Sequence, residues 1–397
     1  MGKSKIYGLC AVIIVVNGLH SSCVSSGQKQ LESQWADLEK VDDMSCSTWP
    51  VRDSELDISA MTANAGEPGG FIADVRLRNG GRLPIFADTS EGHSINKDKM
   101  TAIPIGRQAH AVGLVEWNKE PTAFVVQNKN NRAWIEVRAV KDNRLVARMA
   151  TPLPEEAESG RVVGVSNGWW LQLNHSEVDS SFVRVTPHQD GQWSFVVSAF
   201  QAHTRFASLV SNLLHQNAYV VENQKKSDEN TSDFLMTQLD SDGKSQVLGR
   251  KTLPTKGGLE SWSAALLGQK IVLAVVRGDS MVGQSSLLLA AVGISGMSLQ
   301  DAWHQEFALS DVHVAEPVWI SNGVHGFVGI VKWIDAEGTL SRFKVDSTGV
   351  KQLPDAGVFD KGTILAAGYL NGSNNGLGAF RYRDKDLWKY KLCSLSF

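Results

Sequence analysis

Short apolar runs, each opened by a small residue and closed by a polar turn, recur along the chain from about residue 57 onward. The clearest is Gly326-Phe327-Val328-Gly329-Ile330-Val331. The turn signal Asp335-Ala336-Glu337-Gly338 follows it, then an alternating run over 340–345, then the turn Asp346-Ser347-Thr348-Gly349. Strand, tight turn, strand, tight turn predicts a meander of antiparallel strands. Long stretches of helical periodicity are scarce after residue 45.

Comparable runs start at Gly70, Ala123, Gly168, Ala218, Ala274, Gly326 and Gly376, spaced 45 to 56 residues apart. A period of roughly 40 to 50 residues with several strands per unit is the signature of a β-propeller. The fold class predicted is therefore all-β, a seven-bladed propeller, with six or eight blades compatible with other counts of the ends. A sandwich or two smaller β-domains fits less well, because the period is regular and no linker interrupts it. The units fall at 57–99, 110–153, 162–200, 206–253, 259–308, 312–358 and 364–395. The last has room for only three strands. A lone candidate strand lies ahead of the first unit, at 46–56, where Pro50 favours an edge position.

Charge removes one class of function. With 39 basic and 42 acidic residues, net −3, the chain carries no basic stripe of the kind that holds nucleic acid. The N-terminus adds an address. Lys3 and Lys5 precede an apolar stretch over 6–16, too short to span a bilayer, and small polar residues lead to Cys23. This reads as an export signal over 1–22, removed on maturation. Residues 23–45 then form a tether. Leu31, Trp35, Leu38 and Val41 recur there at helical spacing, compatible with a short helix or with a plain polar lead. Residues 46–397 are the propeller.

The segment ending Cys23-Val24-Ser25-Ser26-Gly27 resembles a bacterial lipoprotein signal, with His20 standing where that pattern has an aliphatic residue; the resemblance implies lipid on Cys23, the alternative being simple cleavage by an ordinary signal peptidase. In layout (anchor, tether, propeller of this size) the chain resembles bacterial β-propeller lipoproteins of the kind that assists outer-membrane barrel assembly. The repeat motif of that family, Ala-x-Asp-x-x-x-Gly leading to Trp, is not kept, so the resemblance carries over no residue. It implies a protein held on a membrane by its lipid, on the periplasmic or cell-surface side, with other envelope proteins as partners.

Candidate chemistry is sparse. Gly164-Val165-Ser166-Asn167-Gly168 has the spacing of a hydrolase nucleophile elbow, which requires a helix after the serine. Trp169-Trp170-Leu171 follows instead, so an Asn-Gly hairpin is expected. The Asp/Gly turns at 240–243, 335–338 and 346–349 lack the terminal Trp of a sialidase Asp-box and the closing Glu of a calcium loop. Gly278-Asp279-Ser280 is read as a loop after a strand. His110, His203 and His313 each stand at the expected opening of a first strand, in alternate units. Three imidazoles facing one channel would suit zinc, with water as fourth ligand. Trp169 and Trp170 must face opposite sides of one strand. No motif implies an organic cofactor.

The leading expectation is a non-catalytic scaffold that binds envelope proteins through propeller loops. The alternative is an envelope glycan hydrolase or lyase at the channel mouth. A Cys46–Cys393 disulfide is also expected. With Cys10 in the signal and Cys23 lipidated, these two cysteines remain, one in the unemployed N-terminal strand and one in the incomplete last unit.

Overall fold

The computed structural model describes the strands and most turns of 109–309, largely with side chains, and chiefly the strands elsewhere between 40–103 and 313–396. The signal segment 1–22 and Cys23 lie outside the described residues. Among the described residues the strands form seven small antiparallel sheets, most of four strands. The second is typical: Ala109–Trp117, Glu120–Asn128, Ala133–Ala139 and Leu145–Arg148 follow one another as a meander.

Local chemistry explains the turns. Trp117 and Glu120 face each other across Asn118 and Lys119, both with positive φ (51° and 62°). That is the twist a two-residue hairpin needs, and asparagine adopts it readily. In the fourth sheet the Asp240 carboxylate accepts from the Asp242 and Lys244 amides at 2.9 Å each, and Gly243 supplies φ +81°. Asp346 does the same for Thr348 and Gly349. These carboxylates cap their own turns, which accounts for the Asp/Gly pattern at 240–243 and 346–349; Asp335 lies outside the described residues.

The first strands of successive sheets adjoin. Asp57–Ala63 lies beside Ala109–Trp117, which lies beside Ser159–Val165. Ala207–Val210 lies beside Leu259–Leu267, then come Val318–Ser321 and Gly362–Tyr369, which returns to Asp57–Ala63. Small antiparallel sheets following one another in this way make a β-propeller. The core is accordingly divided. Val112, Phe124 and Ile135 of the second sheet pack on Leu171, Val183 and Val185 of the third. Trp170 and Phe182 pack on Leu209, Val220 and Leu239 of the fourth. Further such layers join the first and second sheets, the fourth and fifth, and the fifth and sixth.

Each recurring apolar run marks the second strand of its sheet. Ala123 to Val126 are all fully buried, as are Ala274 to Val276. A second strand is covered by a neighbouring sheet on both faces. It therefore reads as a continuous apolar run rather than an alternating one.

At the chain ends, Cys46–Trp49 pairs antiparallel with Leu387–Ser396, and Lys40–Val41 pairs in turn with Cys46 and Ser47. A helix reaching through Val41 is thus corrected, because residues 40 and 41 belong to a β-ladder. The fourth strand of the first sheet, Met100–Ala102, also lies beyond the expected end of its unit at 99.

Candidate functional site

In the second to fifth sheets the first-to-second and third-to-fourth turns lie on one face of the propeller and the remaining connections on the other. The two faces differ in what their polar groups do.

On the connection face, side chains fasten sheet to sheet. His110, second residue of Ala109–Trp117, donates from Nε2 to the Ala157 carbonyl at 2.8 Å. Asn128 donates to the same carbonyl at 2.8 Å and accepts from the Ala157 amide at 3.0 Å. Gln172 holds the next sheet in the manner of a strand, accepting from the Leu209 amide and donating to the Ala207 carbonyl, both at 3.1 Å. Arg161 donates to Ser208 and to the Leu209 carbonyl. Arg277 reaches the Pro254 carbonyl at 2.8 Å and pairs with Glu306.

His203 corrects the sequence reading. It lies after Trp193–Ala202, the last strand of the third sheet, and not in the first strand of the fourth, Ala207–Val210. A register irregularity between Ser181 and Val183 accompanies the lengthening of the last strand to Ala202. His203 sits instead in the connection, its Nδ1 2.9 Å from Asp179 Oδ1. His313 opens His313–Val314 and stands opposite Trp333. Among the described residues no three His, Cys, Asp or Glu side chains are gathered as metal ligands. The buried Glu222 carboxyl is held above its ordinary range by loss of solvation, which His203 partly offsets.

Among the described residues, recesses between sheets open on the turn face. One, of about 380 Å³, lies between the second and third sheets and is lined by Trp117, Glu120, Thr122, Arg144, His188 and Trp193. Trp117 and Trp193 line it and belong to a ring cluster that continues behind them. Trp169 and Trp193 stack at 5.7 Å with planes 13° apart, and Trp117 meets Trp193 edge-on at 5.2 Å. Phe124 backs Trp169 at 5.6 Å. Another recess, of about 640 Å³, lies between the fourth and fifth sheets. Asn217, Tyr219, Gln238, Gln269, Lys270 and Gln300 line it, and His215 bridges the two sheets by donating to the Gly268 carbonyl at 2.9 Å. Both recesses have volumes typical of ligand sites, roughly 300 to 1,000 Å³.

Trp169 and Trp170 occupy opposite faces of Gly168–Asn174, as expected. Trp169 joins the layer with the second sheet and Trp170 the layer with the fourth. Ser166 sits in a two-residue hairpin, with Val165 opposite Gly168 and a strand on each side. It has no helix behind it and is no nucleophile elbow. The partnership of Trp117 with Trp193 was not foreseen, since the two come from different sheets. The available signal was that each stands at a turn on the same face of successive units.

No family model matches the chain, and no curated protein does. Solved structures do. Hydrazine synthase from Kuenenia stuttgartiensis is similar at a TM-score of 0.54 and 7% identity, over 86% of this chain and 96% of that one. A polysaccharide lyase, an ulvan lyase, follows at 0.47 and 10%, covering 85% and 93%. The Aleuria aurantia lectin stands at 0.40 and 8%, covering 85% and 94%. At these identities the first likeness bears on fold alone.

Proposed function

We propose that the chain is an exported, lipid-anchored, seven-bladed β-propeller that serves as a non-catalytic binding scaffold for other envelope proteins. The observation that carries this reading is the Trp117–Trp193 recess. It presents large rigid aromatic surface beside Glu120, Arg144 and His188, on the face where turns are free to differ between blades. Aromatic anchors ringed by polar groups are the usual energetic centre of a protein interface. The seventh blade is taken to be completed by Cys46–Trp49, with 1–22 as the signal and 23–45 as the tether.

Crosslinking in native envelopes tests the binding face. A Trp117→Ala/Trp193→Ala protein is expected to lose the partner that the parent captures, and an Arg144→Glu surface variant to capture less of it. Undiminished capture by both would overturn the assignment. The anchor is tested separately. Cys23→Ser protein is expected in the soluble fraction, because firm attachment needs the acyl chains that a lipoprotein cysteine carries. Unchanged membrane partition would refute lipidation at Cys23.

One observation favours the alternative of a glycan-cleaving enzyme, namely a buried carboxyl, Glu222, whose pKa is raised by loss of solvation and partly lowered again by His203. A general acid needs a raised pKa. The same rise makes a stability prediction. The folded state holds the Glu222 proton to higher pH than the unfolded chain, whose group titrates near 4.5. Stability therefore falls as pH rises from that value through the folded-state pKa, and the penalty persists above it. Glu222→Gln is expected to melt at a higher temperature than the parent at pH 7, with the difference closing as the pH drops below 4.5. Equal melting at both pH values would contradict the burial argument. Glycan cleavage abolished in this folded variant would establish the enzyme.

A further inference from the structure

Cys46 and Cys393 stand directly opposite each other in the ladder joining the two ends of the chain. The pairing is continuous on one side of it, through Ser47 with Leu392, Thr48 with Lys391 and Trp49 with Tyr390. Residues directly opposite in an antiparallel pair share a face of the sheet. Their α-carbons are about 4.5 or 5.5 Å apart, depending on whether the pair is hydrogen-bonded. Both separations lie within the roughly 4.4 to 6.8 Å that a disulfide spans. On its other side Cys393 pairs with Gly378, which carries no side chain to compete for that face.

We infer that Cys46 and Cys393 form a disulfide that clasps the N-terminal strand to the last sheet. A one-residue slip would place either cysteine on the opposite face, so register and bond specify each other. The chemistry balances as thiol–disulfide exchange. The two thiols give up two protons and two electrons, one sulfur–sulfur bond forms, and the disulfide of an exported oxidoreductase is reduced to its dithiol. Before export a reducing cytosol leaves the clasp open. The bond joins a residue near the start of the propeller to one at its end, so it closes only after the whole domain has crossed the membrane. The inference is independent of what the turn face binds.

The test uses the full chain recovered from cells that export it, alkylated without reductant and then digested. The peptides holding Cys46 and Cys393 are expected as one species, two hydrogens lighter than their sum, and to separate on reduction. Alkyl groups on both cysteines in the unreduced protein would overturn the bond. Melting supplies a second arm. Cys46→Ser, Cys393→Ser and the double variant are expected to melt at one common temperature, below the parent and equal to that of reduced parent, because each removes the same bond. Additive losses would refute it. Should the variants not fold, the peptide measurement on the parent decides.

Discussion

Trp170→Ala is expected to lower the free energy of unfolding by about 3 to 5 kcal/mol, the range for deleting a buried large aromatic side chain. Trp170 is wholly buried and fills the layer between the third and fourth sheets with Phe182, Ala202, Leu209, Ala218, Val220 and Leu239. Its cross-strand partner is Arg184, itself buried, whose guanidinium reaches the Asn167 carbonyl at 2.8 Å. A void there cannot close by one sheet sliding inward, because each sheet is fixed by its own turns and by a second neighbour. Trp169→Ala, on the other face of the same strand, is the internal control. Trp169 is only partly buried, and its truncation should have the smaller effect. Urea unfolding of the two variants checks this, and a loss below about 1 kcal/mol at Trp170 would contradict the packing argument.

Gly168→Ala is the second large effect. Gly168 closes the Ser166–Asn167 hairpin at φ +127°, a conformation other residues rarely adopt. A β-carbon there would come within 2.4 Å of the Val185 carbonyl oxygen, a backbone atom of the neighbouring strand that cannot swing aside. The backbone term alone is roughly 1 to 3 kcal/mol, and relief of the clash must add to it. Gly191→Ala separates the two contributions. Its φ is +81°, and a β-carbon there would meet nothing within 4 Å. Its cost should be that of the backbone alone, roughly 1 to 2 kcal/mol. Equal losses at the two glycines would show that the close approach of Val185 has no weight.

These two positions also show what could be read from the sequence. That a hairpin falls at Asn167-Gly168 was legible because its chemistry is local, although its two loop residues are Ser166 and Asn167 and the glycine closes the loop from within the ladder. The second strand of each sheet was legible for a different reason. Runs such as Ala123-Phe124-Val125-Val126 are covered on both faces, and that leaves a mark in composition with a regular period. What escaped depends on contacts between units. Trp117 and Trp193 meet only because two turns of successive sheets share a face, and neither residue is unusual in its own segment. His203 was misplaced because the ladder of the third sheet shifts register between Ser181 and Val183, which hydrophobicity does not encode. Val41 fitted a helical spacing that pairing with Cys46 overrides. The three histidines were read from their places in the sequence alone, which do not show which partners each one meets. In the structure His110, Asn128, Gln172 and Arg161 bind peptide groups of the neighbouring connection or sheet.

The sheet built from both ends of the chain has a mechanical consequence. A pull on the lead before Lys40 first peels the two-residue ladder of Lys40 and Val41 from Cys46 and Ser47. With the cysteine bond formed, tension then passes at Cys46 into Cys393, bypassing the short ladder beyond it. The receiving strand, Leu387–Ser396, is flanked on its other side by ten residue pairs running from Asn375–Ser396 to Asp384–Leu387. Force is thereby spread over a long ladder in the interior of a sheet, while the first strand of the ring, Asp57–Ala63, stays off the line of pull. A body hung from a membrane by its leading end would keep its turn face undistorted while a partner tugged on it.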